Sequence, residues 1–187
     1  MAELNPAVVP LSLYIHMPWC VRKCPYCDFN SHAVPDGQLS LELEQEYLRA
    51  LVEDFKTQVD FAQGRQIHSV FIGGGTPSLI SALGYQWLFD QLKAVIPFAE
   101  GCEITLEANP GTVEHDPFAG YLQAGINRLS IGVQSFNTEH LKRLGRIHSN
   151  EDAISAIGLA REAGFQRINV DLMHGLPEQT LEQPLHD

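Results

Sequence analysis

The chain has 187 residues, 44% of them hydrophobic and 19% charged, enough to bury a substantial core. A formal net charge of −11 repels phosphate backbones and anionic lipid, which excludes generic binding to nucleic acid or to a membrane surface. No apolar run approaches the roughly 18 residues of a membrane span, and the first fifteen residues lack a basic head followed by an apolar stretch, so the thiols are expected in a reducing, cytoplasmic setting.

Short β-branched runs alternate with longer helical patterns. A first strand is expected from Leu11 to His16, followed by the run Cys20-Val-Arg-Lys-Cys24-Pro-Tyr-Cys27. Residues 44 to 59 place Leu48, Leu51, Val52, Phe55 and Val59 on one face, which is helix periodicity. A second strand, Ser69 to Gly73, leads into Gly73-Gly74-Gly75-Thr76-Pro77, then a helix over 82 to 95 carrying Trp87, Leu88, Leu92 and Val95. A third strand, Glu103 to Glu107, ends at Asn109-Pro110. Pro117 at a first helical position opens the next helix and Gly125 closes it. A fourth strand, Arg128 to Val133, precedes Gln134. Ser149 or Asn150, with Glu151 and Asp152 in the first turn, starts a helix that Gly164 ends. The fifth strand is Arg167 to Leu172, and Thr180 to Asp187 reads as the start of another helix.

An internal echo supports this order. Ala124-Gly-Ile-Asn-Arg-Leu-Ser-Ile matches Ala163-Gly-Phe-Gln-Arg-Ile-Asn-Val, 39 residues apart, each a helix stop, a turn and a buried strand. Right-handed crossovers would curl such a parallel α/β sheet into an open or closed barrel with helices outside; a flat doubly wound sheet is the alternative.

The cysteine triplet carries the most chemical information. Pro25 lacks the N–H that a helix interior needs and pushes Cys24 towards extended geometry, so the segment is a loop. Structural zinc is closed by four ligands, and here it would have to borrow His16 or His32. Three thiolates on a four-iron cluster leave one iron open to a small molecule, which the spacing favours over zinc. Three of the four cysteines are too close together to staple a fold of this size. Cys102, far away before a strand, reads as a small buried hydrophobe.

The remaining polar signals sit at the carboxyl ends of strands: the glycine run, Glu107 with Asn109, Gln134, and Asp171 with His174-Gly175. In parallel α/β architecture that rim binds ligands. Singly, each reads as a turn or cap; together, and with the cysteine loop on the same rim, they mark one site. The glycine run is no Walker motif, for Thr76-Pro77 follows and no lysine appears until Lys93. Without Cβ atoms, its amides and carbonyls suit the ammonium or carboxylate of an amino-acid end.

With CxxxCxxC after a first strand, Gly-Gly-Gly-Thr-Pro after a second, and Glu, Gln and Asp at later strand ends, the chain resembles the radical S-adenosylmethionine (SAM) superfamily over essentially its whole length. Tyr14–Cys20, Leu106–Thr112, Ser130–Phe136 and Asp171–Pro177 are similar to the group that holds oxygen-independent coproporphyrinogen III oxidases (dehydrogenases) and HemW-type haem chaperones. The oxidases carry a further cysteine two residues after the third, where this chain has Cys27-Asp28-Phe29, so the resemblance is to the HemW side. It implies a partial (β/α)6 barrel, here an N-terminal part of about five strands with the C-terminal domain missing, which would expose an apolar sheet edge.

The resemblance further implies a [4Fe-4S] cluster on Cys20, Cys24 and Cys27, with SAM chelating the fourth iron and contacted by Tyr14, Tyr26, Gly74, Gly75, Thr76, Glu107, Gln134, Arg146 and Asp171. Glu107 or Asp171 would accept from ribose hydroxyls, and Arg146 would pair with the SAM carboxylate; a surface charge is the alternative for Arg146. Tyr26 and Phe29 read as apolar covers over the cluster, or as ordinary packing. Implied partners are SAM, haem or another tetrapyrrole, haem-acceptor proteins and an electron donor, with membrane contact only through an acceptor. Whether radical chemistry on a tetrapyrrole occurs stays open. The family's His-Asn-x-x-Tyr-Trp motif is absent from this chain, and His16, His148 and His174 read as ordinary polar residues rather than haem ligands.

Overall fold

The computed structural model describes residues 5, 8–111 and 116–187. In chain order the elements are β1 Leu11–Met17, β2 Trp19–Cys20, β3 His32–Ala33, α1 Leu41–Thr57, α2 Val59–Ala62, β4 Ile67–Gly74, α3 Ala82–Val95, β5 Phe98–Ala108, α4 Phe118–Gln123, β6 Arg128–Gln134, α5 Thr138–Arg143, α6 Asn150–Glu162 and β7 Ile168–Leu172. Five strands form one parallel sheet in the order β1-β4-β5-β6-β7. That order never reverses, whereas a doubly wound sheet must reverse to place helices on both faces. One strand face, with Ile15, Met17, Val70, Ile72, Ile104, Leu106, Leu129, Ile131 and Val133, is buried in a continuous core with Leu48, Val52, Phe55, Leu88, Phe89 and Leu92. Neighbouring helices pack in the matching sequence, α1 on α3, α3 on α4 and α4 on α6. The sheet is thus wound one way, as in a barrel, and the flat doubly wound alternative falls.

The opposite face is polar. Ser12 and Ser69 share a hydrogen bond at 2.8 Å, Glu103 pairs with Arg128 and Arg167, and Ser130 and Asn169 both reach Asp171. The sheet ends at β1 and β7, where Leu13, Ile168 and Val170 are half-buried.

Local chemistry explains where the elements start and stop. The Ser40 hydroxyl accepts from Leu43 N–H, so α1 begins before residue 44, and the chain breaks at Gln58, leaving Val59 exposed at the start of α2. On α3, which spans 82–95 as expected, Tyr85, Leu88, Phe89 and Leu92 are buried, while Trp87 is 39% exposed. Pro117 is the N-cap of α4 rather than its first helical residue. Ser149 caps α6 in a capping box with Asp152. The echo is structural as well. Gly125 and Gly164 have φ of +106° and +103°, and Ile126 N–H→Tyr121 O and Phe165 N–H→Ala160 O both measure 3.1 Å, so each copy ends its helix in the same left-handed turn. Residues 180–187 hold one 3-10 turn, Gln183–Leu185, in place of the expected helix. Cys102 lies within β5 and is only partly buried.

Candidate functional site

The cysteine loop is tied at its neck. β2 pairs with β3 in a two-residue parallel ladder, and His32 N–H→Pro18 O (2.7 Å) and Val34 N–H→Cys20 O (2.9 Å) bring the two ends of the loop together. Between them no helix forms, as Pro25 requires, and Cys27 N–H closes a turn on Cys24 O. Lys23 Nζ donates to Phe29 O and Ser31 O across the loop.

The glycine turn is stitched onto this neck. Gly75 N–H→Met17 O and Thr76 N–H→Trp19 O are both 2.6 Å. A Cβ on Gly75 would collide with the Trp19 carbonyl, and one on Gly74 (φ +111°) would stand 2.6 Å from the His16 ring. Gly75 is there because backbone meets backbone, and Gly74 because its φ is left-handed and the His16 ring fills the space beside it.

Glu107, at the end of β5, accepts from Gly74 N–H at 3.2 Å. Burial pushes its carboxyl above the ordinary range; the Gly74 N–H opposes that rise and the Asp171 charge adds to it. Asp171 on β7 accepts from Ser130 Oγ (3.1 Å) and Asn169 Nδ2 (2.7 Å), which fixes its carboxylate. Gln134 ends β6 at φ +72°, a left-handed conformation that costs a non-glycine residue about 1–3 kcal/mol. Its carbonyl accepts from Met173 N–H.

Arg146 is drawn inward. After α5 the chain turns at Gly145 (φ +69°), where a Cβ would stand 2.9 Å from Pro25 Cδ, so this turn is seated on the cysteine loop. Arg146 Nη2 donates to Asn109 Oδ1 (2.7 Å) and Gly132 O (2.8 Å), and Nη1 to Cys24 Sγ (3.5 Å). Asn109 Nδ2 in turn donates to Thr76 Oγ1 at 3.1 Å. One polar chain, Cys24–Arg146–Asn109–Thr76, therefore joins the cysteine loop, β5 and the glycine turn, and Arg146 is no free surface charge.

Cys20, Cys24 and Cys27, all free thiols, line a single cavity of about 300 Å³ together with Tyr26, Gly74, Gly75, Thr76, Glu107, Gln134, Arg146 and Asp171. Of the contacts expected from sequence, only Tyr14 stands outside it. Its hydroxyl bonds His16 Nδ1 (2.9 Å), its ring stacks on Phe71, and it is 56% exposed. Tyr26 and Phe29 line the cavity but remain 41% and 53% exposed, at its mouth rather than sealing it. Burial raises the Tyr26 hydroxyl, with Arg146 opposing and Cys24 reinforcing that shift. Asn109, expected on the rim beside Glu107, lines the cavity too. Ser130 is a site residue that sequence reading did not select; it is found only from register, directly across from Glu107.

The donor set fits a cluster better than a single ion. Zinc needs four ligands within about 2.0–2.3 Å of one point, and among the described residues no histidine lines the cavity beside the three thiols. His16 Nε2 is bonded to Asn30 O and His32 is exposed, so neither completes a zinc site. Three thiols around one open cavity, with a guanidinium on one sulfur, suit a multi-iron anion. His148 is buried on Val133 O and His174 is exposed, in keeping with ordinary polar roles. Thr112, which closes one of the motif runs, lies outside the described residues.

Comparison with known proteins agrees with this geometry. The family model described as the Radical SAM superfamily matches residues 14–186. The chain is 55% identical over 186 residues to the haem chaperone HemW of Haemophilus influenzae, covering 97% of this chain and 48% of that protein. It is 56% identical over 178 residues to HemW of Escherichia coli, covering 95% and 46%. The chain thus spans about half the length of the curated relatives it matches. Among solved structures, coproporphyrinogen III oxidase (HemN) of Escherichia coli, a radical SAM enzyme, superposes with a TM-score of 0.80 at 33% identity, covering 95% of this chain and 40% of that one.

Proposed function

Because this chain belongs to the radical SAM superfamily, we propose that its rim cavity holds a [4Fe-4S] cluster on Cys20, Cys24 and Cys27 with SAM beside it, and that it serves a HemW-type haem chaperone. The carrying observation is that the three thiols share one cavity with the glycine turn, Glu107, Gln134, Arg146 and Asp171. When bound, cluster and SAM together supply one-electron reductive cleavage of a carbon–sulfur bond.

The chain's own residues bind, orient and shield. Gly74 and Gly75 bring backbone close to the amino-acid end of SAM, since no side chain stands there. Asp171, held by Ser130 and Asn169, and Glu107 are acceptors for ribose hydroxyls. Arg146 places positive charge beside Cys24 and an anionic carboxylate alike. Tyr26 and Phe29 crowd the mouth and limit water, one influence on cluster potential. Haem is the cargo, passed to acceptor proteins, and an electron donor serves the cluster.

The names of the relatives in Haemophilus influenzae and Escherichia coli support the chaperone reading, and Cys27-Asp28-Phe29 in place of a fourth nearby cysteine favours it over a coproporphyrinogen III oxidase. The structural likeness to that oxidase keeps the second reading specific. Anaerobic reconstitution with iron and sulfide should give brown absorbance and an electron-paramagnetic signal that changes with SAM. Haem retained on gel filtration, with coproporphyrinogen left unconsumed, supports the chaperone; consumption of coproporphyrinogen selects the oxidase. A colourless protein after reconstitution refutes both.

A further inference from the structure

From Gly73 to Gly75 the turn offers no side chain to grip; main-chain hydrogen bonds to Met17, Trp19 and Glu107 hold its front, and the segment that follows, 77–81, anchors its other end. Three side chains from three helices hold that segment from behind. Glu44 on α1, 3% exposed, accepts from Ser81 N–H (2.9 Å) and Ser81 Oγ (2.6 Å). Tyr85 on α3, fully buried, donates to Pro77 O at 2.7 Å. Tyr121 on α4, also fully buried, donates to Ser78 O (2.7 Å) and Ile80 O (3.0 Å). The two tyrosines meet edge to face with ring centroids 6.1 Å apart, so each limits the other's movement.

This arrangement costs more than an apolar one. A carboxylate taken out of water is unfavourable unless its hydrogen bonds are made, and phenylalanine would fill the tyrosine volumes with no hydroxyl to satisfy. Gly84 adds to the cost. It sits in the first turn of α3, where glycine is about 1 kcal/mol worse than alanine, yet a Cβ there would stand 2.5 Å from Glu44 Oε1. The helix gives up propensity to admit the carboxylate. What the polar groups do, and apolar ones would not, is fix the carbonyls of Pro77, Ser78 and Ile80 and the amide of Ser81 in one register.

We infer that Glu44, Tyr85 and Tyr121 are positioning residues for SAM: they hold the main chain of residues 77–81 so that Gly74, Gly75 and Thr76 keep their place against the cysteine loop. None of the three lines the cavity. The inference rests on the SAM reading above.

The test is a SAM titration of the anaerobically reconstituted protein, followed by the change in the electron-paramagnetic signal of the reduced cluster. It compares wild type, Tyr85→Phe/Tyr121→Phe, each tyrosine singly, Glu44→Gln and a control, Phe55→Leu. Phe55 is a core residue of α1 three turns beyond Glu44, so its loss lowers stability without touching the turn. Iron and sulfide content should stay at the wild-type level in every variant. The SAM concentration for half the spectral change should rise about tenfold in the double variant, because small misplacements of binding groups are costly, and severalfold in Glu44→Gln. Phe55→Leu should lower the melting temperature and leave that midpoint unchanged. If the double variant does not fold, the single tyrosine variants, which lose hydroxyls but no packing volume, carry the comparison. An unchanged midpoint in cluster-loaded tyrosine variants, or an equal rise in the control, overturns the inference alone. A wild type that loads no cluster or ignores SAM overturns the functional reading and this inference with it.

Discussion

Replacing Gly75 by alanine isolates the close approach on which the site is built. The added Cβ would collide with the Trp19 carbonyl oxygen and lie 2.7 Å from its carbon and 2.9 Å from Met17 O. All are backbone atoms of the strap leading from β1 to Cys20, so no rotamer change relieves the overlap. The strap must separate from the turn, stretching Gly75 N–H→Met17 O and Thr76 N–H→Trp19 O. Two hydrogen bonds at about 0.5–1.5 kcal/mol each and overpacking at about 1–3 kcal/mol predict a loss of about 2–6 kcal/mol. In a chain of this size that lowers the melting temperature by roughly 4–24 °C, measured by far-ultraviolet circular dichroism. SAM-dependent spectral change should be lost in the folded fraction as well. Gly158→Ala is the matched control. It lies within α6 with nothing within 4 Å of the new Cβ, and the same substitution should there stabilise by about 0.5–1 kcal/mol. A Gly75→Ala protein that melts within about 2 °C of the parent and still responds to SAM would refute the reasoning.

Arg146→Lys keeps the charge but breaks the planar fork shared among Cys24, Asn109 and Gly132; potentiometry of the SAM-free cluster should find a more negative reduction potential, since a hydrogen bond to a ligating sulfur is lost. For Glu107, whose folded-state pKa is raised by burial, the folded protein prefers the neutral carboxyl, so stability is lowest above the raised pKa and recovers as pH falls through it towards the unfolded value. Glu107→Gln should therefore melt higher than wild type at pH 7, with the difference shrinking on acidification, and should bind SAM more weakly; a lower melting temperature at pH 7 counts against the assignment. Ser149→Ala removes the capping box of α6 and should cost about 1 kcal/mol, read as a fall of about 2–4 °C in thermal melts with SAM binding retained.

The five sheet strands were legible in the sequence because each carries an apolar row towards the helices, as in Ile104 with Leu106 or Leu129 with Ile131, and because Gly125 and Gly164 punctuate the helices before β6 and β7. α5 was not legible. Its six residues, Thr138–Arg143, are too short to show a period, and only His140 and Leu141 are buried. Yet α5 ends in the turn that seats Gly145 on Pro25 and sends Arg146 inward, so the element hardest to read carries one of the site's main cations. On α3 the buried face belongs to Tyr85, Leu88, Phe89 and Leu92, and Trp87 lies off it, a division the list of apolar residues did not show.

Why much of the site could be read from rim residues, and why some of its groups could not, follows from strand register. Strand ends reveal which residues reach the rim, but pairing decides which of them share a face. Glu107 lies across from Ser130, and Ser130 across from Asn169, so Ser130, which fixes Asp171 together with its same-strand neighbour Asn169, was hidden until the register was known. Tyr14 depends on register too. It lies on the polar face of β1, in register with Phe71 and one alternation short of His16, so its ring lies below the rim, stacked on its neighbour. Motif residues tied to the rim by turn geometry, such as the cysteines and the glycines, needed no register and met at the expected place. Residues in mid-strand depend on their partners, and for them sequence alone cannot separate a cavity wall from the sheet beneath it.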